Sequence, residues 1–94
     1  MIERDGNRLR VRGALTVASV TALCEAGKRH FGDADLVVDL AEVSEVDSAA
    51  LSLLFEWRRA ARAKNLQLGL RNLPESLKSL AALYGLSELV AEKA

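Results

Sequence analysis

The residues with the types and spacing that chemistry needs are few, and the most prominent is the pair Asp47-Ser48. It follows the apolar anchors Leu40, Val43 and Val46 and opens a leucine-rich stretch. A carboxylate and a hydroxyl placed there have two uses. Either oxygen can accept from the free amides of a helix's first turn. Alternatively, the Ser48 hydroxyl is a group that a partner contacts or phosphorylates, with the helix start accommodating the added charge. Both readings of Ser48 stand on the sequence. His30 is the only histidine and lies among Lys28, Arg29 and Phe31. A general base needs a positioned partner, so His30 reads as a helix-end cation or a surface residue. Cys24 is the only cysteine. It has no disulfide or CxxC companion and reads as a small side chain buried on a helix. Asp33 with Asp35, and Glu42 with Glu45, form carboxylate pairs without the further ligands that a metal site requires, and read as solvated loop charge. The phosphate loop GxxxxGK[ST] and the dinucleotide pattern GxGxxG are absent. These features describe a binding module rather than an enzyme, with no metal and no cofactor.

Size and composition set the frame for those residues. Ninety-four residues suit one domain spanning 1–94 with a single modest core. Half of the residues are hydrophobic and 28% are charged, and the apolar runs fall far short of the roughly 20 residues of a membrane span. Met1 to Gly6 carries charges where a secretion signal needs an apolar segment. A soluble cytoplasmic protein is expected. Lys plus Arg and Asp plus Glu number 13 each, so no net field favours nucleic acid or anionic lipid.

The elements that must position the Asp47-Ser48 pair follow from periodicity. Ile2 to Asp5 and Leu9 to Arg12 read as a hairpin turning at Gly6-Asn7, and Gly13-Ala14-Leu15 breaks the second strand's alternation. Thr16 is placed to cap a helix with Val17, Val20, Leu23, Cys24 and Phe31 on one side. Leu36-Val37-Val38 is a strand covered on both faces and ended by Asp39, followed by an acidic loop in which Glu42, Ser44 and Glu45 face water. The next helix runs from Ser48 to about Lys64. Gln67 to Arg71 is a short strand, and Pro74 fits the first turn of a last helix with Leu77, Leu80, Ala81 and Tyr84 at helical spacing. Gly85 ends it. Leu86 to Val90 adds a strand or covers the core, and Glu92 to Ala94 should fray. This alternation predicts an α/β domain: a mixed sheet with an amino-terminal hairpin and later parallel strands joined by right-handed crossovers, with helices packed on it.

On a wheel of 3.6 residues per turn, Ala50, Leu53, Leu54, Trp57 and Ala61 form the core stripe of the central helix. Leu51 and Phe55 fall beside Ser48, Arg58, Arg59 and Arg62. They either widen the core contact, with the arginines solvating its rim, or belong to a partner surface of Ser48, Ser52, Phe55, Arg59 and Arg62, a mixture that interfaces favour. Trp57 and Tyr84 read as core.

The stretch Asp39-Leu-x-x-Val43-x-x-Val46-Asp47-Ser48-x-x-Leu51-x-x-Leu54 resembles the STAS domain, named for sulfate transporters and anti-sigma-factor antagonists. The resemblance extends over nearly the whole chain. Members that regulate sigma factors typically read Asp-Ser-Ser/Thr-Gly-Leu, and the hydroxyl after the aspartate accepts phosphate from a kinase. Ser48 occupies that position, but Ala49 and Ala50 replace the second hydroxyl and the glycine. The chain is more similar to the small stand-alone STAS subunits (MlaB-like) of the Mla phospholipid ABC transporter of Gram-negative bacteria. Those share a single hydroxyl after the aspartate, small residues next, and a closing pattern like Leu80-Ala-x-Leu83-Tyr84-Gly85-Leu86. This resemblance implies a cytoplasmic subunit, held at the inner membrane by its partner and without insertion of its own. It would bind the transporter's MlaF-like ATPase subunit in a complex with permease and lipid-binding subunits that maintains outer-membrane lipid asymmetry. The alternative it implies is an anti-sigma-factor antagonist switched by serine phosphorylation.

Overall fold

A computed structural model describes residues 2–32 and 34–90. Four strands and three helices alternate as β1 (Ile2–Asp5), β2 (Arg8–Leu15), α1 (Val20–Lys28), β3 (Leu36–Val46), α2 (Ala49–Ala63), β4 (Leu68–Arg71) and α3 (Glu75–Leu83), and a 3-10 helix at Ser87–Val90 follows. The sheet order is β1-β2-β3-β4. β1 and β2 pair antiparallel, while β2/β3 and β3/β4 are parallel, as the strand-helix-strand alternation requires. The expected mixed α/β sheet is therefore the one observed. The anticipated fraying of Glu92 to Ala94 lies outside the described residues, as does Asp33.

Three expectations about the strands are corrected. β2 does not stop at Arg12, and the residues read as an acidic loop are the second half of β3. Arg10 faces Asp39 but Arg12 faces Glu42, and Gly13 faces Val43 but Ala14 faces Glu45. Each step adds one residue to β3, and such bulges break the period-2 pattern while the ladder continues. Glu42, Ser44 and Glu45 still face water, as expected, and Leu40 is buried. The central strand is also not covered on both faces. Leu9, Val11, Leu36, Val38, Leu40, Leu68 and Leu70 share one core with the buried helix residues. The alternate positions carry Arg8, Arg10 and Arg12, which pair with Asp39, Asp5, and Glu3 and Glu42. Asp39 is the exception on that open face. It is buried and accepts from Arg8 (3.0 Å), from the Asn72 amide (3.0 Å) and from the Ala41 N–H (3.0 Å). Burial pushes its carboxyl pKa up, but the bonds from Asn72 and Ala41 and the Arg8 charge outweigh that and hold it below its ordinary value.

The start of α1 also differs. Thr16 does not cap it: Ser19 occupies the N-cap position, its hydroxyl donating to the Ala14 carbonyl (2.7 Å) and accepting from the Thr16 N–H (3.1 Å). Val17, expected in the core, is 78% exposed because its N–H is drawn to the Asp47 carboxylate (3.1 Å), which turns its side chain outward.

Trp57, fully buried, is the centre of the helical layer. Its indole N–H donates to the Cys24 carbonyl (3.1 Å), and its ring meets Phe31 edge-on with centroids 6.3 Å apart. The ring also lies directly on Gly27, where a Cβ would fall 2.5 Å from Cε2 and 2.8 Å from Nε1. That glycine is what allows α1 and α2 to approach. α2 and α3 close alike. Asn65 and Gly85 adopt left-handed backbone (φ 58° and 71°), and the next amides reach back, Leu66 to Ala61 (2.9 Å) and Leu86 to Ala81 (2.7 Å), in the paired bonding of a Schellman end.

Candidate functional site

The turn from β3 into α2 assigns the capping bonds of the Asp47-Ser48 pair. Asp47 is the residue that satisfies free amides: Oδ1 accepts from the Ala49 N–H (2.8 Å) and Oδ2 from the Val17 N–H (3.1 Å). Ser48 sits at the N-cap position, but its side chain forms no capping hydrogen bond, and it is exposed. A hydroxyl at the start of a fifteen-residue helix is thus left to face outward.

From Ser48 the exposed face of α2 continues through Ser52, Phe55, Arg59 and Arg62, at steps of four and three that keep to one side of a helix. These five predicted residues share that face. The core stripe of Ala50, Leu53, Leu54, Trp57 and Ala61 is buried as expected, and Leu51 joins it at 4% exposure. Leu51 therefore widens the core contact, whereas Phe55 does not: it is 55% exposed. Phe55 forms a ridge between two grooves. One is lined by Ser48, Leu51, Ser52, Phe55, Tyr84 and Leu86. The other is lined by Phe55, Arg58, Arg59, Arg62, Glu88 and Leu89.

Tyr84 corrects the sequence reading. Placed in the core by its spacing, it is 57% exposed. It stands at the C-cap of α3, where Gly85 reverses the chain and the half-buried Leu86 packs against the core in its place. Among the described residues the large hydrophobic side chains left most exposed are Val17, Phe55, Leu83 and Tyr84. Two of them, Phe55 and Tyr84, border the groove of Ser48, and Val17 is tied to Asp47 next to it.

The three arginines of α2 are not equivalent. Arg59 is held by Glu56, its Nη2 donating to both carboxylate oxygens at 2.9 Å. Lys28 of α1 reaches the same carboxylate (3.1 Å). These bonds, Arg59's first and Lys28's second, lower the Glu56 pKa, and the Glu56 bond raises that of Arg59. Arg62 forms no side-chain ion pair among the described residues. Arg58, absent from the predicted surface, is half-buried, and its Nε and Nη2 have no acceptor. Burial, and after it the charge of Arg62, lowers its pKa.

Two of the acidic candidates, Asp35 and Glu42, have structural duties, and His30 takes part through its backbone. Asp35 accepts from the Gln67 N–H (2.8 Å) and Glu42 from Arg12 (2.7 Å), while the His30 carbonyl accepts from Arg4 (2.9 Å). The Cys24 thiol is half-buried, and burial raises its pKa. Among the described residues no helix is long and apolar enough to cross a membrane.

The chain is a hairpin-led mixed α/β domain with an exposed serine at the start of its central helix. Its fold is that of the unphosphorylated anti-sigma factor antagonist SpoIIAA, with a TM-score of 0.75 over 100% of this chain and 87% of that one, at 15% identity. The chain belongs to the STAS family described as "Mlab, STAS domain", whose family model matches residues 1–91. STAS families are generally non-catalytic regulatory proteins. Part of Mglu is similar in fold: TM-score 0.60 at 24% identity over 80% of this chain, and 0.58 at 20% identity over 78% of it for the native form. This chain spans only 19% and 22% of those two chains. Among curated proteins none matches.

Proposed function

We propose that this protein is a non-catalytic regulatory or assembly subunit that binds the ATPase subunit of an ABC transporter moving phospholipids. The exposed face of α2 is its contact surface. The observation that carries the proposal is the ridge of Phe55 beside a Ser48 hydroxyl that the helix does not use for capping. Membership of the MlaB family supports the choice of partner. Ser48, Ser52 and Phe55, with Tyr84, give the apolar and hydroxyl half of the contact, and Arg59 and Arg62 give its basic half. The nucleotide belongs to the ATPase, and lipid handling belongs to the permease and lipid-binding subunits, so this chain needs no cofactor. Its place is the cytoplasmic face of the inner membrane, reached through its partner, and its role there is the upkeep of outer-membrane lipid asymmetry.

The test is affinity capture of tagged protein from its native cells, comparing wild type with Phe55→Ala and Ser48→Glu. Wild type should recover an ABC ATPase. Phe55→Ala removes a central aromatic anchor and should weaken the contact about tenfold or more. Ser48→Glu should weaken it through a carboxylate buried without a partner, while the acid at the helix start leaves the melting temperature near wild type. Unchanged capture by both folded variants would exclude this face. A second reading, the anti-sigma-factor antagonist, is favoured by the outward Ser48 hydroxyl and by the fold shared with SpoIIAA. Recovery of an anti-sigma kinase that phosphorylates Ser48 from ATP would establish it instead.

A further inference from the structure

In a chain that is 28% charged, three stretches are almost free of charge: 13–24 and 79–87 contain no Asp, Glu, Lys or Arg, and 46–55 contains only Asp47. The fold joins these stretches side by side. Leu15 pairs with Val46 at the ends of β2 and β3, and the Asp47 N–H donates to the Leu15 carbonyl (3.2 Å). Ser48, Leu51, Ser52 and Phe55 of the second stretch share a groove with Tyr84 and Leu86 of the third. Val17, Phe55, Leu83 and Tyr84, the exposed large hydrophobic side chains among the described residues, all lie on these stretches. The one charge in this area is answered internally, since each Asp47 oxygen accepts from a backbone N–H.

Val17 is exposed but not loose. Its N–H is held by Asp47 (3.1 Å). The turn around it is closed by the Ser19 and Val20 N–H groups, which donate to the Thr16 carbonyl (3.0 and 2.9 Å), and by the Ser19 hydroxyl, which donates to the Ala14 carbonyl (2.7 Å). A side chain presented on a fixed turn has little freedom to lose on binding. We propose that Val17 is a second apolar anchor of the contact with the ATPase subunit, beside Asp47 and Ser48, and that the ATPase surface covering these stretches is itself apolar and uncharged. This deepens the docking reading of α2 and rests on it. Charge complementarity selects the occupant. A carboxylate brought here finds no cation, and an ammonium finds only the half-buried Asp47, already engaged; either would be desolvated without a free partner. The matching surface therefore combines apolar side chains with hydrogen-bonding groups for the hydroxyls of Ser48, Ser52 and Tyr84. A lipid surface is disfavoured, because a membrane-bound face sets its apolar side chains among Lys and Arg, and these stretches contain neither. Arg59 and Arg62 lie farther along α2, so the contact changes character along the helix.

Two measurements test this. In the first, a photo-crosslinking amino acid is placed at Val17, at Phe55 and, as a control, at the exposed Arg71 of β4, and the full chain is irradiated in its native cells. Positions 17 and 55 should both attach to the ABC ATPase, and position 71 should not. Attachment from 55 but not from 17, attachment from 17 to lipid or to a second copy of this chain, or equal attachment from 71 would overturn the proposal while leaving the transporter reading intact. Attachment of both positions to a protein other than an ABC ATPase would overturn the transporter reading and this occupant with it. In the second, Val17→Lys and Val17→Glu are compared with wild type for binding to the captured ATPase. Both should lose about tenfold or more in affinity, with melting temperatures near wild type because the native side chain faces solvent. Tighter binding by either variant would reveal a charged counter-surface, and unchanged binding by both would leave Val17 outside the contact; each result overturns the proposal.

Discussion

Replacing Gly27 with alanine sets two effects of opposite sign against each other. In an ordinary helix interior the change stabilises by about 1 kcal/mol, since glycine has more backbone freedom to lose. At Gly27 the new methyl would fall on the indole of Trp57, 2.5 Å from Cε2 and 2.8 Å from Nε1. The ring cannot retreat cheaply. It is fully buried, meets Phe31 edge-on, and donates its N–H to the Cys24 carbonyl. Overpacking of this kind costs about 1–3 kcal/mol, and an indole N–H pulled from its acceptor adds about 1–3 kcal/mol. Less the helix-propensity gain, Gly27→Ala should lose about 1–5 kcal/mol, centred near 3. For a domain of this size that lowers the melting temperature by on the order of 15 °C.

Thermal and urea unfolding followed by circular dichroism measure the loss, and emission from the sole tryptophan reports any displacement of the ring. The decisive comparison is a double-mutant cycle. Phenylalanine at position 57 lacks the indole atoms nearest the new methyl, so in a Trp57→Phe background the same Gly27→Ala change should be neutral or stabilising by up to about 1 kcal/mol. A single variant that melts at or above wild type would refute the argument. So would an equal cost in both backgrounds.

Two further outcomes test the local assignments. Asp47→Ala removes the acceptor of two N–H groups and should cost about 1–3 kcal/mol in urea unfolding, whereas Ser48→Ala should stay within about 0.5 kcal/mol; the reverse order would return the capping role to Ser48. Asp39 is held ionised in the native state below the pH at which the unfolded chain takes up its proton. Its stabilising contribution is therefore complete above about pH 4 and disappears as pH falls through the lower native pKa. Unfolding of wild type and Asp39→Asn across that acid range should show the shallower loss in the variant, and parallel curves would mean that Asp39 contributes nothing there.

What the sequence disclosed, and what it hid, follows from the range of each interaction. The buried stripe of α2 was legible because a helix's own period fixes which side chains share a face, and Trp57 needed no other information. The position of Ser48 was legible for the same reason. Its freedom was not, since Asp47 and Ser48 compete for the same amides and only the geometry of the turn shows that Asp47 takes them, with Val17 drawn along. The acidic half of β3 was misread because its bulges are set by the facing residues of β2, distant in sequence. Asp39 looked like the end of a strand for an equivalent reason: its burial depends on Arg8, 31 positions earlier, and Asn72, 33 positions later. Tyr84 has core spacing, but the left-handed Gly85 ends the helical geometry on which spacing arguments rely.

The charge balance invites the same distinction between sum and place. With 13 positive and 13 negative residues, the chain has no net field to draw a charged partner from a distance, and that argument holds beyond a Debye length of about 8 Å. It does not hold at contact. The arginines of the open sheet face answer Asp5, Asp39, Glu3 and Glu42, and Glu56 binds Lys28 and Arg59 together at the join of α1 and α2. Pairing within the scaffold is local, and it leaves cations such as Arg62 on the exposed face of α2 without an ion pair among the described residues. A partner's acid meeting them would act over a few ångströms, after encounter, and so would govern how long the complex lasts more than how fast it forms. Neutrality of the whole chain and a specific electrostatic contact on α2 are therefore compatible, and the salt dependence of association and of dissociation separates them.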